Sequence, residues 1–183
     1  MVNLANLITL GRLGSVPVIV WLLLDQRYVT AFWLFVIAGI SDGIDGLLAK
    51  RFGMETTLGR YLDPIADKAL LVSIYVALGL QLYLPKWLVL LVVSRDLLII
   101  GAILLAGALG RRVAIRPTMI SKINTVAQIG LIGWVLAHFA FGLTERADTI
   151  TTILIWVVAA TTVASWYRYL IIWLNDMAGM EQG

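Results

Sequence analysis

The sequence predicts an all-α fold, a single polytopic bundle of six transmembrane helices spanning residues 1–183. Three observations lead there. Of the 183 residues, 61% are hydrophobic and 14% charged, whereas about a quarter of a soluble domain is charged. Apolar runs near the ~20 residues needed to cross a bilayer recur from end to end. The charges that do occur gather in alternate connections between those runs.

The first helix is expected from about Asn6 to Leu24, closing at "DQRY". The second runs from Tyr28 to about Phe52 and the third from about Leu58 to Tyr83. "LPKW" opens a fourth, Pro85 to about Leu109. After the basic segment "GRRVAIRP", a fifth spans Thr118 to Gly142, starting just past a proline as helices often do. The sixth extends from about Asp148 to Leu174. Lys50, Arg51, Arg60, Arg111, Arg112 and Arg116 fall in connections two–three and four–five, against Arg27, Lys86 and Arg146 in the alternate ones. The positive-inside rule puts the six-residue set, and both termini, in the cytoplasm.

No cleavable signal is expected, because the first apolar stretch lacks a basic start and Arg12 interrupts it. The bacterial inner membrane is the expected location. Cysteine is absent, which excludes disulfides and thiolate metal sites. No basic face interleaved with aromatics points to nucleic acid. Ala160 and Ala164, like Ala102, Ala106 and Gly110, read as helix contacts. Tyr28, Trp33, Tyr83, Trp87 and Tyr167 suit interfacial belts, and the sole histidine, His138, reads as a packing or helix-end residue.

Against this background stands "SDGIDGLLAKRFGMETTLGRYLDPIADK", Ser41 to Lys68. Asp42 and Asp45 are three apart on the second helix, Asp63 and Asp67 four apart on the third, so each pair shares a helix face. The short connection suggests that the two helices are antiparallel neighbours, which lets the pairs converge. Four carboxylates together repel and take up protons, a conflict that divalent cations resolve. Hard oxygen ligands without Cys or His point to Mg²⁺ or Mn²⁺, and two such ions suit displacement at phosphorus. The plainer reading, a solvated rim, fits one or two aspartates. It does not fit four on two helices with Asp67 reaching into an apolar run, where carboxylates usually face a cavity or a site.

The stretch resembles the signature D-x-x-D-G-x-x-A-R-x8-G-x-x-x-D-x-x-x-D of the CDP-alcohol phosphotransferases. Asp42, Asp45, Gly46, Ala49, Gly59, Asp63 and Asp67 match it; Lys50 stands at the arginine position, with Arg51 beside it. "NLITLGR", "SRD" (Ser94–Asp96) and "RPTMISKINTVAQ" (Arg116–Gln128) resemble the branch that makes phosphatidylglycerophosphate and cardiolipin.

The resemblance implies six helices around a cytoplasm-facing polar cavity, commonly in a homodimer. It implies that Asp42, Asp45, Asp63 and Asp67 hold two divalent cations, and that Asp67 is general base toward the acceptor hydroxyl. CDP-diacylglycerol would donate its phosphatidyl group and CMP would leave. Gly46, Ala49, Lys50, Gly59 and Arg60 inherit nucleotide and diphosphate roles.

Acceptor choice rests on two departures. Users of glycerol 3-phosphate typically carry K-x-K-T and A-R-E, where this chain has Lys122-Ile123-Asn124-Thr125 and Ser94-Arg95-Asp96. Both departures resemble mitochondrial-type cardiolipin synthases, which favours phosphatidylglycerol over glycerol 3-phosphate. Arg111, Arg112, Arg116 and Lys122 fit either an anionic acceptor site or plain positive-inside charge. Arg95 and Asp96 read as a cavity floor or a structural ion pair. Asn6, Thr9 and Arg12 read as lipid-head-group contacts or as an interfacial anchor of the first helix. A cation-coupled transporter is the alternative of another class, but it calls for acidic groups spread through the membrane depth and a repeated architecture; neither is found.

Overall fold

The computed structural model describes the backbone of residues 4–52, 57–108, 118–143 and 146–180, and side chains within 10–41, 66, 68–101, 118–143 and 148–172. These residues form six helices and no strand: α1 (Leu4–Leu24), α2 (Tyr28–Phe52), α3 (Thr57–Leu80), α4 (Lys86–Ala108), α5 (Met119–Phe141) and α6 (Arg146–Met180). The expected all-α architecture is observed, and the bounds of α2 agree to the residue. Two helical stretches, Met119–Phe141 and Asp148–Ile172, are long and apolar enough to cross a membrane; Leu10–Leu24, Tyr28–Ser41 and Lys68–Leu80 are apolar but shorter.

Helix ends account for the differences in bounds. α3 stops at Leu80 rather than Tyr83 because Leu82 takes a left-handed conformation, φ 65°. The amides of Leu82 and Tyr83 turn back to the carbonyls of Gly79 and Leu78, the two bonds of a Schellman ending. α1 closes the same way through Gln26 (φ 59°), with the amides of Gln26 and Arg27 on the carbonyls of Leu23 and Leu22. α5 opens at Thr118, whose hydroxyl accepts from the Ser121 amide, and closes at left-handed Gly142. Such caps satisfy amides and carbonyls that a helix end leaves orphaned.

The helices form a closed circuit in the order α1, α2, α5, α6, α4, α3, with α3 also touching α5 across the middle. Direct packing of α2 on α3, expected from their short connection, is not found among the described residues; α1 packs against both. At one end of the bundle lie the α1–α2 and α3–α4 turns. There Tyr28 and Tyr83 share a hydrogen bond of 2.6 Å, and Phe139 of α5 packs on both rings. His138, in the last turn of α5, packs against Phe139 as a helix-end residue. By chain direction, the opposite end receives the N-terminal ends of α1, α3 and α5 and the C-terminal ends of α2, α4 and α6.

The distribution of polarity is inverted relative to a soluble protein. Trp21, Trp33, Leu80, Leu90, Val126, Ile153 and Trp156 are exposed, while Arg12, Arg95, Asp96, Ser121, Asn124, Gln128, Thr162 and Ser165 are buried. An apolar exterior of this extent marks a surface that is covered by something other than water. Apolar residues such as Ile19, Leu23, Ile74, Leu78, Leu88, Leu131 and Leu136 fill the interior between the polar set and the aromatic end. Ala160 and Ala164, expected as helix contacts, are both exposed; α6 instead turns Val158, Ala159, Thr162 and Ser165 inward.

Candidate active site

The signature residues occupy the ends of α2 and α3 that run to the polar end of the bundle. Asp42, Asp45, Gly46, Ala49 and Lys50 lie on α2, and Gly59, Arg60, Asp63 and Asp67 on α3. Their side chains, and those of Asn6 and Thr9 on α1, lie outside the described residues, as do Arg111, Arg112 and Arg116 altogether. The backbone of both segments is continuous helix, so each aspartate pair keeps one face. A donor set made only of carboxylates fits Mg²⁺ or Mn²⁺. Among the described residues, no group of three or more His, Cys, Asp or Glu side chains is gathered.

Beside these ends the described side chains form a buried ionic cluster. Arg95 of α4 is 1% exposed and its neighbour Asp96 is fully buried. The Arg95 guanidinium donates through Nη1 to Asp96, and through Nη2 to Ser121 Oγ of α5 and to Ser165 Oγ of α6, the last at 2.9 Å. Lys68 of α3 donates to both carboxylate oxygens of Asp96, at 3.0 and 3.1 Å. One cluster therefore ties four helices. Of the two readings of Arg95 and Asp96, the ion pair is observed. Burying charges is tolerable only when they are paired and hydrogen-bonded, and here each ion finds an opposite charge or hydroxyls.

A neutral polar layer follows, deeper by one turn. Asn124 of α5 is fully buried, and its Oδ1 lies 2.9 Å from the hydroxyls of both Thr161 and Thr162 of α6. Each hydroxyl carries one proton, so it is shared between Asn124 and carbonyls of its own helix, those of Val157 and Val158 for Thr161 and that of Val158 for Thr162. Another turn in, Tyr75 of α3 donates to the Gln128 carbonyl at 3.3 Å. Ser121 to Gln128 and Lys68 to Tyr75 are both seven-residue steps, about 10 Å of helix. The polar seam thus runs inward from the charged end along α3, α5 and α6.

Two further candidates behave differently. Lys122 is exposed, about 100° around α5 from the buried Ser121. Arg12 is buried on α1, with its carbonyl accepting from the Ser15 hydroxyl. Lys68, Ser121, Gln128, Thr161, Thr162 and Ser165 were not among the residues singled out by sequence. Their signal was available as periodicity: Ser121, Asn124 and Gln128 recur at three and four residues within an apolar helix, the spacing of one helix face.

Comparison with known proteins places this arrangement. The family model for CDP-alcohol phosphatidyltransferase matches residues 2–164. A chloroplastic CDP-diacylglycerol–glycerol-3-phosphate 3-phosphatidyltransferase 1 of Oryza sativa subsp. japonica is 39% identical over 91% of this chain and 56% of its own. A cardiolipin synthase (CMP-forming) of Rattus norvegicus is 33% identical over 91% of this chain and 60% of its own. A CDP-diacylglycerol–glycerol-3-phosphate 3-phosphatidyltransferase of Bacillus subtilis is 33% identical over 92% and 94%. The chain thus spans less than two thirds of the rice and rat proteins and nearly all of the Bacillus one. It belongs to the CDP-alcohol phosphatidyltransferase family.

Proposed function

We propose that this member of the CDP-alcohol phosphatidyltransferase family is an integral-membrane enzyme that moves the phosphatidyl group of CDP-diacylglycerol to an alcohol acceptor, releasing CMP. The observation that carries the reading is the signature itself: its carboxylates sit on two helices running to one polar end, inside a body with an apolar exterior. Acyl chains would stay in lipid while the cytidine head reaches water through a polar cavity between the six helices. The positive-inside count favours the cytoplasmic side for that end, and a bacterial cell membrane is the location inferred for the protein. A homodimer is carried over from the family.

In this mechanism Asp67 accepts the proton of the acceptor hydroxyl. The hydroxyl oxygen forms a new bond to the lipid-side phosphorus, the bond from that phosphorus to the CMP oxygen breaks, and CMP departs with the electron pair. Gly46 and Gly59 leave room for the nucleotide against the backbone, and Lys50 and Arg60 offer charge to the diphosphate. Asp42, Asp45, Asp63 and Asp67 would hold two divalent cations, which supply neutralisation of the charge that builds at phosphorus. Asp96 is not part of that donor set, because Lys68 and Arg95 already take up its oxygens.

We infer phosphatidylglycerol as the preferred acceptor, giving cardiolipin. The second lysine of the K-x-K-T pattern is replaced by Asn124, which is neutral, buried and engaged with α6. A monoanionic diester asks less of that position than a free dianionic phosphate. Glycerol 3-phosphate is the second reading, favoured by the names of the rice and Bacillus relatives. Parallel assays with the two acceptors, with the lipid products separated, decide between them: product with glycerol 3-phosphate alone overturns the preference.

A further inference from the structure

We propose that Asp96 and Lys68 are positioning residues, a clamp that sets the rotation of α3 and so the direction in which Asp63 and Asp67 project. The inference rests on the reading of those two aspartates as metal ligands. Lys68 directly follows Asp67 and sits about 100° around the helix from it. Its ammonium is held through both oxygens of Asp96, a fully buried carboxylate. Asp96 in turn is fixed by Arg95, which is anchored on α5 and α6 through Ser121 and Ser165. A side chain on α3 is thereby referenced to three other helices.

Carboxylate oxygens lie about 5–6 Å from a helix axis, so a rotation of α3 by ~10° shifts them by about 1 Å. Functional constellations tolerate roughly half that, and a 1 Å misplacement lowers rate on the order of a hundredfold. Stability is the weaker explanation for the cluster, because buried ion pairs seldom exceed their own desolvation cost.

The first variant is Lys68→Met, which leaves Asp96 still paired with Arg95. Asp96→Asn breaks the clamp from the other side, and Lys68→Arg restores the cation. Purified protein in lipid nanodiscs would be read three ways: Mn²⁺ binding by paramagnetic resonance, without substrate; kcat and KM for CDP-diacylglycerol; and the unfolding temperature. The clamp predicts that Lys68→Met weakens Mn²⁺ binding about tenfold and lowers kcat 10–100-fold, with KM little changed. Lys68→Arg recovers part of both, and Asp96→Asn, where it folds, repeats the loss. Parental Mn²⁺ affinity and kcat in Lys68→Met overturn the proposal. So does a loss confined to KM, which would make Lys68 a substrate contact. Absence of CMP release by the parental protein would instead strike the functional reading, while the Mn²⁺ measurement still decides the clamp.

Discussion

The ammonium of Lys68 lies 3.0 and 3.1 Å from the two carboxylate oxygens of Asp96, joining α3 to α4 at the end of the bundle where α3 carries Asp63 and Asp67. The neighbouring Arg95 extends the same cluster to α5 and α6. The polar end is therefore braced from within.

Asp67→Asn is expected to abolish turnover while largely sparing binding of CDP-diacylglycerol. The amide keeps the size of the side chain but cannot accept the hydroxyl proton at neutral pH. CMP release and nucleotide-lipid binding, measured on one preparation, check this; full activity would remove Asp67 from the role of base.

Ser165→Ala is expected to be more destabilising than Asn124→Ala. The first takes a hydroxyl acceptor from a buried guanidinium, at a cost of about 1.5–3 kcal/mol. The second leaves the Thr161 and Thr162 hydroxyls free to donate wholly to the carbonyls of their own helix, so it costs about 1 kcal/mol. Thermal unfolding in a single detergent ranks the two.

Much of this was legible in the sequence, and the parts that were not have physical causes. Alternating apolar runs and charged connections sufficed for six helices, and the aspartate and glycine spacing for the family. The end of α3 was misplaced because Leu82 adopts a backbone conformation that leucine rarely takes. Adjacency of α2 and α3 was inferred from a short connection, yet among the described residues α1 packs against both. Lys68 only closes the aspartate-rich stretch in the sequence; the fold brings Asp96, twenty-eight residues away, to meet it. Ala160 and Ala164 carried a packing pattern that α6 turns outward, since small residues mark a face without saying which partner it meets.

Gly79→Ala is expected to destabilise the α3–α4 pair by about 1 kcal/mol. A Cβ at Gly79 would lie 2.7 Å from Val89 Cγ2, and overpacking costs about 1–3 kcal/mol against a helix-propensity gain of up to ~1. Val89→Ala in the same chain should recover the loss. If Gly79→Ala alone melts at or above the parental temperature, this contact is looser than the structure shows.

Leu82→Gly is expected to raise stability by about 0.5–1 kcal/mol. The residue is exposed, so little packing is lost, and glycine escapes the left-handed penalty that leucine bears at φ 65°, less its own greater chain entropy when unfolded. A lower unfolding temperature would show that the leucine side chain makes a favourable contact outweighing that penalty.

The most direct test of the account is CMP release from CDP-diacylglycerol by the purified protein, followed with and without Mg²⁺ and an alcohol acceptor. The account predicts CMP and a new phospholipid only when donor, acceptor and divalent cation are all present, and neither after chelation. Folded protein that leaves the nucleotide-lipid intact with every component supplied would contradict it.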